Sequence, residues 1–378
     1  MASASVKHRW RISVLAVVGV MTWALSAMAD PAQPPPISDS VKQANAISQS
    51  QSDDIDQAIA AVTKDLADGS NPTSQSADRD WLIDQVNSAS GASSAAYLQT
   101  YAKSVNDHLL AMVTAPDCNF RAALEGGLAA AKIAVASQDT ELLPLASALL
   151  KSKTPAIVFV GMKVVHGLVP AILNKPVLAQ ADTNLLNEIL TTVADNPDMP
   201  LGGAIVGQAY QAMTDAVFSD NHGAPAQIIQ VLVPLVMKLE QQRIALYQAT
   251  TPANPYADSN GLVILTSPNV WPQLQPEAQR DAMTIAADLI EATSKRAITA
   301  RATPGQDATP LILQLRTDGI AFRIFSDPNN TTVSDPQLYA ASQQLAQLSP
   351  YGASASSINS VVSSMTDAIN AFKPTLGQ

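Results

Sequence analysis

Apolar positions recur every three or four residues along most of this chain. Ile55, Ile59, Val62 and Leu66 form one such stripe, closed by Gly69, a residue that takes the left-handed turn at a helix end without strain. Trp81, Leu82 and Val86 open a second, and Tyr97, Tyr101, Val105, Leu109 and Val113 make a third. The spacing predicts a fourth helix over 117–135, where Gly126 and Gly127 would mark a kink. Further helices are expected over 140–151, 155–173, 183–194, 201–219 and 226–249, and then over 276–301, 309–326, 336–348 and 355–372. Thr154-Pro155, Thr309-Pro310 and Asp335-Pro336 each put a side-chain oxygen directly before a proline. Such an oxygen can satisfy an orphan amide, and proline at the first helical position forfeits no bond. Glu291 and Lys295 stand one turn apart in the favourable order. Only "GLVILT" (261–266) reads as a short extended piece, and it has no obvious pairing partner. The fold class expected is all-α.

One period is longer. "TELLPLASALL" begins at Thr140, "TNLLNEILTTV" at Thr183 and "AQIIQVLVPLV" at Ala226, so three apolar pairs (Leu142 and Leu143, Leu185 and Leu186, Ile228 and Ile229) recur at a step of 43 residues. A helix–turn–helix unit has an apolar face it cannot cover alone, and stacking on its neighbours covers it. Residues 141–168, "ELLPLASALLKSKTPAIVFVGMKVVHGL", resemble a HEAT-type repeat: "LLP" lies in a first helix, a turn follows, and Pro155 opens a second. Residues 184–213 resemble it again, with "DNPD" at the turn. The early arginine of that family's second helix is absent, with Val158 near its place, and projecting the step to 269–272 meets "NVWP". The resemblance spans about a third of the chain. It implies an irregular α-solenoid-like array of antiparallel helix pairs; a globular bundle with a fortuitous period is the other reading.

The ends and the connections set the organisation. Lys7, Arg9 and Arg11 precede an apolar run at 12–24, and "AMA" (27–29) offers the small residues a signal peptidase reads. Residues 1–29 are therefore expected to be a cleaved signal peptide, placing the rest in the periplasm or outside the cell. No later stretch looks long and apolar enough to cross a membrane, so no stable insertion is expected after cleavage. Residues 30–52, rich in Pro, Ser and Gln, read as a disordered tether. A helical-repeat region is expected over 53–249, a long proline-rich loop over 250–275 marking a boundary, and a C-terminal helical region over 276–378.

Of the 22 Lys and Arg, three lie in residues 1–29, which leaves 19 against 32 acids. That balance argues against a nucleic-acid partner, which demands clustered cations. Between Lys175 and Lys238 there is no Lys or Arg, while Asp182, Glu188, Asp195, Asp198, Asp215 and Asp220 all fall there. This is a solvated acidic face or a surface for a cationic partner. Cys118 is the single cysteine, so no internal disulfide can form and stability must come from packing. It reads as an inert thiol beside Asp117.

The familiar constellations are missing: there is no G-x-S-x-G elbow, no phosphate-binding loop and no H-E-x-x-H. His108, His166 and His222 share no metal-ligand spacing and read as structural or surface residues. Asp327, Asn329, Thr331, Val333 and Asp335 imitate a calcium loop, but Thr332 and Leu338 replace its glycine and glutamate. No catalytic, cofactor-binding or metal-binding residue is assigned. The function expected is that of a non-catalytic interaction or scaffold protein facing a protein or cell-envelope partner. An exported hydrolase with acids in a helical cleft, or a small-ligand carrier, are the alternatives. Tyr256 and Trp271 in the long loop, with Asp195, Asp198, Asp215 and Asp220, are the candidate partner-binding residues.

Overall fold

Short connections between amphipathic helices force each helix to fold back on its predecessor, and the computed structural model is built from such pairs. It describes residues 33–69, 72–89, 91–195, 201–219, 222–329 and 333–376; the expected signal peptide lies outside the described residues. After a short α1 (Asp39–Lys42), the pairs are α2 (Gln49–Asp68) with α3 (Pro72–Asp84), α4 (Ala95–Thr114) with α5 (Phe120–Ser137), and α6 (Leu143–Leu150) with α7 (Pro155–Leu173). Next come α8 (Gln180–Asp195) and α9 (Gly202–Phe218). A brief α10 (Pro225–Gln227) then runs through a π-helical turn, Ile228–Leu232, into α11 (Val233–Ala249), which pairs with α12 (Ser259–Leu265). The chain ends with α13 (Pro276–Ala302), α14 (Thr309–Phe325), α15 (Pro336–Ala346) and α16 (Ala355–Phe372). The protein is all-α. Its β structure among the described residues is a pair of two-residue strands, Asn87–Ser88 and Gly91–Ala92.

The helices lie in two rows. In one, α2, α4, α6, α8, α11, α13 and α16 each touch the next; in the other, α3, α5, α7, α9, α12, α14 and α15 do the same. The core fills the space between the rows. Leu142, just before α6, Leu185 in α8 and Ile228 in the π turn before α11 are all buried, that turn packing on α7 and α9 as well as on α11. Leu143 and Ile229 are only partly buried against the core. Helix α7 is long and apolar enough to cross a membrane, which corrects the expectation that no later stretch is; two thirds of its apolar window is buried in the fold, between α5 and α9. Gly126 and Gly127 lie within α5, which runs unbroken.

Of the three proline-preceding caps, Asp335 accepts from the Leu338 amide at 2.8 Å as expected. Thr154 precedes α7 without a side-chain cap bond, and Thr309 is already helical, its own amide held by Asp307 at 2.8 Å. The requirement for a cap is met by whichever oxygen the incoming chain direction brings closest.

Two segments differ from the expectation. Residues 250–275 are not a long loop but a folded connection: a 3₁₀ turn at Pro255–Asp258, α12, and a second 3₁₀ turn at Trp271–Gln273. "GLVILT" is therefore mostly helical rather than extended. Prolines read as breakers stand here at the first positions of short helices, where their fixed φ is an asset. The described residues, from Gln33 on, form one compact unit without a division at this point. The supposed tether is also ordered where it is described. Trp81 Nε1 donates to Pro34 O at 2.9 Å, Ile37 N to Gln85 Oε1 at 3.0 Å, and the Lys42 ammonium to Asn87 O at 2.9 Å. Ser94 N donates to Lys42 O at 2.8 Å, and Ile37, Val41 and Ile47 pack on the core. Lys42 is buried, and desolvation lowers its pKa.

Deleting residues 33–47 should therefore lower stability by about 2–4 kcal/mol, since several hydrogen bonds of about 1 kcal/mol each are lost with their apolar cover. Urea unfolding of the truncated chain measures this; an unchanged midpoint would restore the tether.

Candidate functional site

Three residues of α11 fall on one face at helical spacing, Glu240, Arg243 and Tyr247, and all are buried. That face meets Tyr210 of α9, Asp258 of the 3₁₀ turn, Ser259 of α12, and Gln314 and Asp318 of α14. A buried charge is tolerated only when it is paired and hydrogen-bonded. Arg243 Nε donates to Asp258 Oδ1 at 2.7 Å and its Nη2 to Ala253 O at 2.8 Å. Tyr247 donates its hydroxyl to Asp258 Oδ2 at 2.8 Å and lies against the Gln314 carboxamide. Tyr210 donates to Glu240 Oε1 at 2.8 Å. Gly261 makes room for this carboxyl: a Cβ there would stand 1.7 Å from Glu240 Oε1.

Three carboxyl groups are buried here and the one guanidinium pairs with Asp258, so only that carboxyl can hold its charge cheaply. Burial raises the pKa of Asp258, opposed by Arg243 and Tyr247, which bond its charged form. Burial also raises Glu240 well above the usual range, and the Asp258 charge adds to this. Asp318 is pushed up to about 8, chiefly by burial; Asp258 adds to the rise, and the nearby Ser259 hydroxyl opposes it without closing a hydrogen bond. Burial disfavours the Arg243 charge, but Asp258 more than offsets that. Arg243 and Asp258 are therefore the charged pair, with Glu240 and Asp318 held as neutral acids. Among the described residues neither Asp318 oxygen has a hydrogen-bond partner, nor do Glu240 Oε2 and Arg243 Nη1.

Above this cluster a groove runs along the seam of α11 and α13. Its central depression, about 700 Å³, has Tyr247 and Ile244 on the α11 side and Asp288, Glu291, Lys295 and Arg296 on the α13 side. Two further depressions, about 310 Å³ and 490 Å³, adjoin it, sharing Ile244 and Asp288 with the first and Arg296 with the second. Arg296 donates from Nε and Nη2 to Tyr247 O, at 3.1 and 2.7 Å, tying α13 to the end of α11. The expected Glu291–Lys295 pair is present at 3.3 Å on the exposed rim. Acidic Asp288 and Glu291 are thus followed by cationic Lys295 and Arg296 along a wall whose floor is fixed from below.

The sequence-selected residues are scattered. Tyr256 is 55% exposed, as a surface aromatic must be, but Trp271 is 3% exposed and is corrected to a core residue. Its ring meets Phe325 edge-on with centroids 4.8 Å apart and Phe372 at 6.3 Å, so apolar burial decides its place. Asp215 bonds His166 across α7 and α9, Nε2 to Oδ2, at 2.6 Å. Asp198 and Asp220 lie outside the described residues, as does the Asp195 side chain. His108 meets Asp56 at 3.0 Å, and His222 Nδ1 lies 3.0 Å from Gly223 O. Cys118 is half-buried; burial and Asp117 push its thiol pKa up. Among the described residues no three or more His, Cys, Asp or Glu side chains come together as a metal site. The buried cluster went unselected, although the Glu240–Arg243–Tyr247 spacing within an apolar helix was a visible signal.

The raised acids fix the sign of a pH dependence. The folded protein keeps a proton on Asp318 that the unfolded chain, with an ordinary value of about 3.9, releases. Stability is thus fully present below pH ~4 and falls by on the order of 1 kcal/mol per pH unit up to pH ~8, with Glu240 acting in the same direction. Urea unfolding at pH 5 and pH 8 should show the loss, and Asp318→Asn should flatten it by about one proton. A variant with the parent's slope would contradict the assignment.

No protein-family model matches the chain, and a search of curated proteins finds no match to its sequence.

Proposed function

We propose that the protein is exported through residues 1–29 and acts without catalysis, as an interaction protein whose α11–α13 groove receives a polypeptide segment of a cell-envelope partner. The continuity of that groove carries the reading. Three adjoining depressions follow α13, a helix of 27 residues and so about 40 Å long, which is the dimension of a peptide rather than of a small metabolite. The walls offer exposed Asp288, Glu291 and Lys295, charges of both signs that would fix register and select the partner. The floor is rigid, because Tyr247 is bonded to Asp258 and its carbonyl to Arg296. A preorganised floor lowers the ordering cost of binding.

The two rows also support a HEAT-like repeat as the origin of the architecture. Leu142, Leu185 and Ile228, 43 residues apart, are buried just before α6, in α8 and in the π turn before α11, and helices α6, α8 and α11 stack in sequence. In such arrays the exposed side of a row is the usual place for an extended ligand.

The protein purified from the exported fraction should begin at Asp30 and capture a discrete polypeptide partner. Asp288→Lys combined with Glu291→Lys, both at exposed positions, should weaken that capture about 10-fold or more while leaving the helical circular dichroism unchanged. Equal capture by parent and double variant would remove the groove from the account, and residues 1–29 found intact on the exported chain would remove the signal peptide.

A further inference from the structure

On the second row, a smaller cleft of about 220 Å³ opens between α5, α7 and α9. Its lining includes the residues that end all three helices: Gln138 is the C-cap of α5, Asn174 of α7 and Ser219 of α9. Parallel helices in one row bring like ends together, and a helix C-terminus carries roughly half a negative charge on its unpaired carbonyls. Three such ends meet here, and the Asp215 carboxylate joins them. Asp215 is one turn before Ser219, with its side chain 41% exposed, and one of its oxygens is held by His166 Nε2 at 2.6 Å. Among the described residues no lysine or arginine lines the cleft. Lys163, one turn before His166, is drawn off over the Phe159 ring, 5.1 Å from its centroid. Gln138, which caps α5 at the cleft, takes φ 49°, ψ 37°, a left-handed conformation costly for a residue with a Cβ. Val135, 54% exposed, supplies an apolar wall with Pro170 and Ala171.

We propose that this cleft is a binding site for a small organic cation, a primary amine or a guanidinium, either free or carried on a partner's side chain. The cation sits where the three C-termini converge and pairs with Asp215, while its carbon body lies on Val135 and Pro170. His166 is a positioning residue: it holds Asp215 at the mouth through Nε2. An anion would meet the same negative ends unfavourably. A metal ion lacks the ligands, since among the described residues no third acidic, histidine or cysteine side chain joins His166 and Asp215. The site lies on the other row from the α11–α13 groove and stands independently of the function proposed for it.

The test is an NMR titration of the full-length protein that follows the His166 ring signals. Benzylamine is the cationic probe, with benzyl alcohol and benzoate as neutral and anionic probes of matched shape, and N-acetyl-argininamide as a side-chain mimic. Benzylamine, the arginine mimic or both should shift the His166 signals saturably, and which of them does distinguishes an ammonium from a guanidinium. N-acetyl-lysinamide bound more tightly than benzylamine would mark the amine as one carried on a side chain. Asp215→Asn should weaken that binding about 10–100-fold, the cost of losing a charged hydrogen-bond partner. Val135→Arg, which places its own guanidinium at the cleft from an exposed position, should weaken it comparably and serves if Asp215→Asn fails to fold. Binding of benzoate or benzyl alcohol as tight as that of the cationic probes, no saturable shift with either cation, or undiminished binding in the variants would each overturn the proposal.

Discussion

The Arg243–Asp258 ion pair, fully buried beside two further carboxyl groups, constrains this structure more than any other feature. Arg243 cannot be left unpaired in the interior, so Asp258 must come to it, and Asp258 belongs to the connection after α11. The same guanidinium holds Ala253 O, and Asn254 Nδ2 donates to Gly203 O at 2.9 Å, so that connection is drawn inward against α9. The remaining acids stay neutral, which couples the middle of the fold to protons rather than to salt. Gly261 follows from the same demand, because α12 must pass where the Glu240 carboxyl already stands.

This centre also joins the two rows. Helices α11 and α13 belong to the first, α9, α12 and α14 to the second, and the cluster takes residues from α9, α11, α12 and α14. Elsewhere the rows are held mainly by apolar burial, most densely around α7, with single buried hydrogen bonds such as Tyr101 to Leu82 O and Gln75 to Leu66 O near the N-terminal helices. Apolar packing is tolerant of small shifts, whereas hydrogen-bonded charges demand a definite geometry. The groove therefore lies over the part of the molecule whose geometry is most tightly specified, with Tyr247 belonging to both.

The helices were legible because their period of 3.6 is written into the order of apolar residues: α4, α7, α9, α13 and α16 begin and end within a few residues of the expected positions. Segment 250–275 was not legible as structure, since proline signals a break unless the start of the next short helix is already known. Residues 33–52 hid their anchorage for a different reason. Their order rests on Lys42, Ile37 and the carbonyl of Pro34 meeting groups some 45–50 residues away, and composition records none of these meetings. The Glu240–Arg243–Tyr247 stripe could have been read, but Asp258 and Asp318 join it only through tertiary contact. The His166–Asp215 pair, 49 residues apart, needed α7 and α9 to be neighbours in one row.

The dependence on the buried ion pair is open to a double-mutant cycle. Urea unfolding at pH 5, where Glu240 and Asp318 are neutral, would compare the parent with Arg243→Met, Asp258→Leu and the double variant. Each single change leaves a buried charge without its partner and should cost about 3–5 kcal/mol, whereas the double variant should lose at least about 1 kcal/mol less than the sum of the two. Losses that simply add would mean that Arg243 and Asp258 act separately and that the connection over the groove floor is held by packing alone.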